Sequence, residues 1–195
     1  MSSARRRFIE SISYLRKLGF FEDYSNLTDE EIFEKMREKS IILKNLKEDD
    51  WMNESTFEID RFLVVHDSKR IWGRDLEFGY HPSPEDEVRI LMEFAQISKG
   101  IFQPTDIKWG RDNWKRPGVH FTFNGRRYFV GYCYYHGGDF LDLGHLLSQL
   151  NAVIKETGYQ YYLIGGTGQF AFVVVLTLGE AEKLRKERGW ELYVY

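Results

Sequence analysis

Apolar positions recur every three or four residues near the start of the chain, which is the spacing of an amphipathic helix. From Arg6 to Leu18 this pattern falls on Phe8, Ile12, Leu15 and Leu18, and Gly19 follows as a helix-ending signal. A second helix is predicted from Thr28 to near Ser40, because Thr28 has the capping-box spacing to Glu31. The acidic stretch 43–58 is predicted to be an irregular connection whose Trp51 packs back onto the body.

The clearest helix signal in the chain begins at Ser83. Ser83 suits an N-cap, Pro84 suits the first helical position, three acids follow, and Gly100 comes after the last turn. One buried stripe is predicted along this helix, made of Val88, Leu91, Met92, Ala95 and Ile97.

Short β-branched and aromatic runs predict two hairpins before residue 136. Residues 61–66 (RFLVVH) and 70–78 (RIWGRDLEF) are separated by a polar pair and are predicted to be two paired strands. Residues 118–123 (GVHFTF) and 126–135 (RRYFVGYCYY) are joined by Asn-Gly, a dipeptide that readily adopts the positive φ angles of a two-residue turn.

The rest of the chain repeats the order of hairpin and helix. A helix is predicted over 141–156, strands over 159–165 and 170–177, a helix over 179–189, and an edge strand over 190–194. Two ββα units predict an α+β fold, with a mainly antiparallel sheet, helices packed on one of its faces, and additional N-terminal helices. The run 170–176 is apolar on both faces and is therefore expected to be a central strand.

We expect one compact domain overall. An N-terminal helical segment, 1–58, is predicted to pack on an α+β body, 59–195. With 43% hydrophobic residues and 15 Phe, 12 Tyr and 5 Trp, the chain can build a genuine core.

Cysteine content and hydropathy indicate the compartment. A single cysteine, Cys133, excludes an intramolecular disulfide and favours a reducing environment. No apolar segment follows the basic N-terminus as in a signal peptide, and no apolar run reaches the roughly 18 residues of a membrane span. We therefore expect a cytoplasmic protein without membrane contact.

The net charge of −3 conceals an uneven distribution. Residues 1–20 hold five basic and one acidic residue, whereas 21–60 hold five basic and thirteen acidic residues. Because no broad basic surface is evident, nucleic-acid binding is not expected. The acidic stretch could instead steer a basic protein partner.

His136, Asp139, Asp142 and His145 recur at spacings of three and form a possible polar site. Metal binding and general acid-base chemistry are both conceivable for these residue types. An Asp at a helix start is more commonly a cap, and the sequence favours that interpretation over a metal.

Two further motifs have structural explanations that outweigh the chemical ones. Cys133 lies three residues before His136, but such residues on a strand point to opposite faces, so we interpret it as a small buried apolar residue. The glycine-rich run 164–170 (IGGTGQF) lacks the Lys-Ser/Thr ending and the following helix of a nucleotide loop, and is predicted to be a turn.

Residues 106–118 (DIKWGRDNWKRPG) are predicted to form a surface loop. Trp and Arg are over-represented at binding hot spots, although the two tryptophans could equally fold under and cover the sheet. Together with the tyrosines that follow, this loop gives the candidate partner-binding residues: Trp109, Arg111, Trp114, Arg116, Tyr132, Tyr134 and Tyr135.

The order of IWGRDLEFG, ISKGIFQPTDI, GGDFLDLGHLLSQLN and GQFAFVVVLTLGEAEKLRKERGW, over residues 70 to 190, resembles a group of small bacterial proteins of uncharacterised function. Small acidic α+β proteins of this sort are similar in general character to immunity proteins, which bind and block toxins. The resemblance implies no catalytic residues.

The sequence therefore favours a non-enzymatic protein-binding domain of bacterial type without a metal or cofactor. Two alternatives stay open: a metal-assisted hydrolase using His136, Asp139 and His145, and a protein with a small-ligand pocket lined by tyrosines. Another protein is the expected partner, and the oligomeric state stays open, a homodimer included.

Overall fold

The computed structural model describes residues 3–44, 51, 53–76, 83–135, 140–165 and 170–195. Its α-helices there are α1 (Ser3–Arg16), α2 (Asp29–Lys39), α3 (Ile41–Lys44), α4 (Thr56–Val64), α5 (Pro84–Ile97), α6 (Leu143–Ile154) and α7 (Leu178–Arg188). Short 3-10 turns cover Glu22–Tyr24 and Lys155–Thr157. The strands are β1 (Ile71–Asp75), β2 (Thr105–Arg111), β3 (Pro117–Phe123), β4 (Arg126–Gly131), β5 (Tyr134–Tyr135), β6 (Phe140–Leu141), β7 (Tyr159–Ile164), β8 (Phe170–Thr177) and β9 (Leu192–Tyr193).

The α+β class is confirmed, and every strand pairing in the described ranges is antiparallel. One sheet has the order β1-β8-β7-β9, a second has the order β2-β3-β4, and β5 pairs with β6. The two predicted hairpin-plus-helix units are present, but their hairpins lie in different sheets. β8 is a central strand, and β9 pairs with β7 at an edge, as predicted.

Helices cover both faces of the four-stranded sheet, not one. Alternate residues of β8 enter two cores: Val174 and Leu176 pack with the N-terminal helices, whereas Val173 and Val175 pack with α5, α6 and the second sheet. A strand that is apolar on both faces requires cover on both, because neither row of side chains can be left in water. The N-terminal helices and α7 supply the cover on one side.

The predicted strand over residues 61–66 is wrong, because residues 61–64 belong to α4 and residues 65 and 66 form the turn after it. Ser55 caps that helix by accepting a hydrogen bond from the Glu58 backbone N–H at 3.1 Å. Phe57, Leu63 and Val64 are buried in the core that α4 shares with α1. Packing of this apolar face outweighs the β preference of the two valines. The predicted boundary between the N-terminal segment (1–58) and the α+β body (59–195) falls inside α4.

Local signals elsewhere are confirmed. Thr28 and Ser83 each form a capping box, and Asn124 and Gly125 adopt φ of 49° and 73° in the turn between β3 and β4. The predicted stripe on α5 needs one correction: Met92 is 48% exposed, and Ile90 and Phe94 are buried instead. Trp51 does pack back, with its ring 5.2 Å from that of Phe8.

Candidate functional site

The segment predicted to be a loop, 106–118, is largely a strand. β2 spans Thr105–Arg111, and a tight turn follows, in which the Asp112 side chain accepts hydrogen bonds from the backbone N–H groups of Trp114 and Arg116. The strand is hard to see in the sequence because its register shifts between Thr105 and Lys108, where Asp106 has a φ of 52°. This irregularity interrupts the alternation of side chains on which strand prediction depends.

The two tryptophans of this segment have different environments. Trp109 faces α5 and is 38% exposed, whereas Trp114 at the tip of the β2–β3 turn is 82% exposed. Of the two interpretations left open by the sequence, exposure suits Trp114, whereas Trp109 is partly exposed and bonds inward only through its ring nitrogen.

Trp109 contacts a buried carboxyl group. Glu87 on α5 is 3% exposed; its Oε2 accepts a hydrogen bond from Trp109 Nε1 at 2.9 Å, and its Oε1 accepts one from the Tyr134 hydroxyl at 3.2 Å. The Tyr132 hydroxyl donates to the Glu87 backbone oxygen at 2.7 Å. Burial raises the pKa of Glu87, and the two side-chain donors oppose this shift only in part.

This arrangement connects α5 to β2 and to the start of β5. Within the described residues no Lys or Arg forms a salt bridge with Glu87, so neutral donors stabilise its charge. Burial, together with the neighbouring Glu87, raises the pKa of Tyr134. The carboxyl is enclosed and bonded by two aromatic side chains, and a third bonds the backbone oxygen of the same residue, so these contacts join the elements around Glu87.

An open surface lies on the other side of the second sheet. Lys108 pairs with His120, and His120 with Phe129, so these side chains share the outward face. The His120 and Phe129 rings lie 4.8 Å apart, and Gly110 and Gly118 are neighbouring positions on the same face. A groove of about 360 Å³ follows this face and is lined by Asp106, Lys108, His120, Thr122, Arg127 and Tyr128, among others.

The groove and the adjacent turns are rich in basic residues. Residues 105–131 contain six basic and two acidic residues, and all six basic side chains are exposed. Asp112 forms a salt bridge with Arg116, whereas Lys108, Arg126 and Arg127 form none within the described residues. Arg111 donates to the Lys115 backbone oxygen at 2.8 Å, which holds it near the turn. We call this face and the exposed residues of the adjacent turn the hairpin surface: Lys108, His120, Arg127 and Phe129 on the face, and Arg111 and Trp114 at the turn.

The predicted partner-binding residues are therefore only partly brought together. Arg111 and Trp114 belong to the hairpin surface, and Arg116 is exposed beside them. Tyr132 is 4% exposed, Tyr134 is half-buried at Glu87, and the Tyr135 side chain lies outside the described residues. Sequence reasoning missed Lys108, His120, Arg127 and Phe129, although alternation along two strands joined by Asn-Gly could have placed the last three on one face.

The predicted polar site is described only in part. His136 and Asp139 lie outside the described residues. Asp142 caps α6 by accepting a hydrogen bond from the His145 backbone N–H at 3.0 Å, as the capping interpretation predicts. In the described part of the chain, no group of three or more His, Cys, Asp or Glu side chains is placed to hold a metal ion.

Cys133 is exposed, so its interpretation as a buried apolar residue is wrong. It lies between β4 and β5, and its backbone oxygen accepts a hydrogen bond from the Asp142 backbone N–H at 2.8 Å. Partial burial and the Asp142 charge raise the pKa of its thiol, which disfavours a nucleophilic thiolate. Residues 166–169 of the glycine-rich run lie outside the described residues.

Among the described residues, none of the helices combines the length and the apolar character needed to cross a membrane. Comparisons with protein-family models, with curated proteins and with solved structures gave no match to this chain.

Proposed function

We propose that this protein is a non-enzymatic binding domain that holds an acidic segment of a partner protein on the hairpin surface. The observation that carries the proposal is the excess of exposed basic side chains around a groove that also presents aromatic rings.

Charge supports an acidic partner. Lys108 and Arg127 line the groove and have no salt-bridge partner in the described residues, so carboxylates of a partner would not have to displace an existing ion pair. Complementary charge of this kind accelerates encounter and sets orientation more than it adds affinity. The sequence suggested the reverse polarity, with the acidic stretch 21–60 steering a basic partner.

The exposed aromatic side chain supports a protein partner over a ligand that binds by charge alone. Trp114 is 82% exposed beside Arg111 and Arg116, and Trp and Arg are the residue types most enriched at binding hot spots. β2 is also an edge strand, and no other strand of the described ranges pairs with its outer side. An extended segment could add to this edge while its acidic side chains reach the groove.

The resemblance to immunity proteins gives this proposal a biological class: a bacterial antidote-like protein that blocks its partner by occupying an acidic segment. A cytoplasmic setting belongs to the same proposal, because the chain carries a single cysteine and cannot form an intramolecular disulfide.

The experiment measures binding of the full-length protein to fluorescently labelled acidic peptides by anisotropy, with a basic peptide and a single-stranded oligonucleotide as comparison probes. We expect the acidic peptides to bind, with loss of binding in Trp114→Ala and in the double variant Lys108→Glu/Arg127→Glu. The matched control is Lys155→Glu/Lys186→Glu, which makes the same charge change at exposed positions away from the hairpin surface.

The proposal fails if no acidic peptide binds, or if the control variant weakens binding as much as the groove variant does. Preferential binding of the oligonucleotide would replace the protein partner with a nucleic acid.

A further inference from the structure

A second pocket, of about 620 Å³, lies at the end of the four-stranded sheet where β1 and β7 begin. It is separate from the hairpin surface. Its lining includes Asp67, Lys69, Arg70, Gln96, Lys99 and Tyr159.

Arg70 is the unusual member of this lining. The residue is only 3% exposed, and within the described residues its buried Nε and Nη2 have no hydrogen-bond partner. The guanidinium lies over the Phe20 ring, 4.7 Å from the centroid, so one neighbour is aromatic. Buried guanidinium donors without an acceptor are costly, since the N–H groups of Nε and Nη2 lose water without replacement.

The nearby carboxylates, Glu180 among them, bond to other groups: Glu180 Oε2 accepts a hydrogen bond from the Thr177 backbone N–H at 2.7 Å. Asp67 Oδ2 accepts a hydrogen bond from the Phe21 backbone N–H at 2.6 Å, and the Lys69 backbone N–H also donates to this carboxylate. Glu22 Oε1 lies 3.1 Å from Lys99 Nζ in a salt bridge. Lys69 pairs with Asp23. Arg70 therefore lines the pocket with donors that these acids do not satisfy.

The backbone holds Arg70 in this position. The N–H groups of Arg70 and Ile71 both donate to the Asp67 backbone oxygen, at 3.0 and 2.8 Å, which forms a tight turn before β1. Phe21, next to the lining residue Glu22, and Lys99 adopt positive φ of 61° and 56°, an uncommon conformation for residues with a Cβ. Arg70 is thus fixed by a backbone turn, and the lining residues Glu22 and Lys99 lie next to or at positions of positive φ.

We propose that this pocket binds a small molecule through an oxyanion, a carboxylate or a phosphate, that accepts hydrogen bonds from Arg70. Lys69 and Lys99 lie at the more exposed part of the lining, each in an ion pair with Asp23 or Glu22, while Gln96 and Tyr159 offer neutral polar contacts to the rest of the ligand. Arg suits this role because its planar fork matches the oxygen spacing of both anions.

The test uses the full-length protein and two probes, inorganic phosphate and succinate, at constant ionic strength maintained with chloride. We expect saturable amide chemical-shift changes centred on Phe21 and on residues 67–71, with a Kd of about 1 mM or tighter for at least one probe. Saturation by phosphate alone would identify a phosphate ligand, and saturation by succinate alone a carboxylate ligand.

Three variants distinguish hydrogen bonding by Arg70 from the general effect of removing one positive charge. Arg70→Met should weaken binding tenfold or more, and Arg70→Lys, which keeps the charge but loses the fork, should give an intermediate loss. The control is Arg37→Met, which removes one positive charge from an exposed position on α2.

Absence of saturable shifts with both probes in the wild-type protein would overturn the proposal, and this readout does not depend on the folding of any variant. Equal binding by Arg70→Met and Arg37→Met would overturn it as well. Neither result bears on the hairpin surface, whose test uses different residues.

Discussion

Asp60 and Arg188, 128 residues apart in the sequence, form a two-point ion pair in the N-terminal core. Arg188 Nε lies 2.8 Å from Asp60 Oδ2, and Arg188 Nη2 lies 2.6 Å from Asp60 Oδ1. The Asp60 side chain is fully buried and also accepts a hydrogen bond from Trp190 Nε1 at 2.9 Å. Arg188 Nη2 donates to Ser11 Oγ as well, so this contact joins α1, α4 and α7.

We predict that Arg188→Met lowers the free energy of unfolding by about 3–5 kcal/mol, because it leaves the Asp60 carboxylate buried without a cation. The double variant Asp60→Asn/Arg188→Met should lose less free energy of unfolding than Arg188→Met, since it removes the Asp60 charge together with that of its partner. Urea denaturation measures both. The control is Arg6→Met, whose partner Glu10 is exposed, and which should change stability by no more than about 0.5 kcal/mol. A loss for Arg188→Met as small as that of the control would contradict the prediction.

Glu87 gives a prediction for the pH dependence of stability. Burial raises its pKa above the ordinary value of 4.5, so the folded state favours the protonated carboxyl. Below the pKa of Glu87 in the unfolded state, the carboxyl is protonated in both the folded and the unfolded state, so it gives the free energy of unfolding no pH dependence. As the pH rises above about 4.5, the unfolded state ionises first, and the folded state is destabilised relative to it until the folded pKa is passed.

The free energy of unfolding of Glu87→Gln, relative to that of the wild type, should therefore be constant below about pH 4.5 and rise above it. Glu85→Gln on the same helical turn is the control, because Glu85 is exposed. Urea denaturation at a series of pH values measures the difference, and a difference that falls with pH would reverse the assigned sign.

The two tryptophans of the β2 region should differ in their effect on stability. Trp109→Phe removes the Nε1 donor from the buried Glu87 carboxyl and should cost about 1–3 kcal/mol. Trp114→Phe changes a side chain that is 82% exposed and should alter stability by no more than about 0.5 kcal/mol. Thermal or urea unfolding of the two variants measures the contrast, and equal losses would show that Trp109 is not held by Glu87.

Local signals in the sequence predicted the elements whose ends are set by local chemistry. Ser83 with Pro84 identified α5, and Asn124-Gly125 identified the β3–β4 hairpin, because a cap or a positive φ depends on a few neighbouring residues. The run 61–66 predicts a strand, whereas residues 61–64 are helical, because the helix depends on packing against α1, which no local window of sequence contains.

The candidate site was harder to predict for a similar reason. Trp114 and Arg111 were identified from residue type alone, whereas Lys108 and His120 become neighbours only through the pairing of β2 with β3. Glu87 and Arg70 looked like ordinary charged residues in the sequence, and only tertiary packing buries them.

Two glycines provide opposite tests of backbone packing. A Cβ at Gly118 in β3 would lie 2.3 Å from the Val130 backbone oxygen on the neighbouring strand, whereas a Cβ at Gly179 in α7 would meet nothing within 4 Å. Gly118→Ala should therefore destabilise the protein, because the β3–β4 pairing must shift, by an amount in the range of about 1–3 kcal/mol for overpacked sites. Gly179→Ala should stabilise it by about 0.4–1 kcal/mol, because alanine restricts the unfolded chain and favours the helix. Urea denaturation of both variants measures the two effects, and a stabilising Gly118→Ala would show that β3 and β4 are not as closely paired as the register of Gly118 with Gly131 requires.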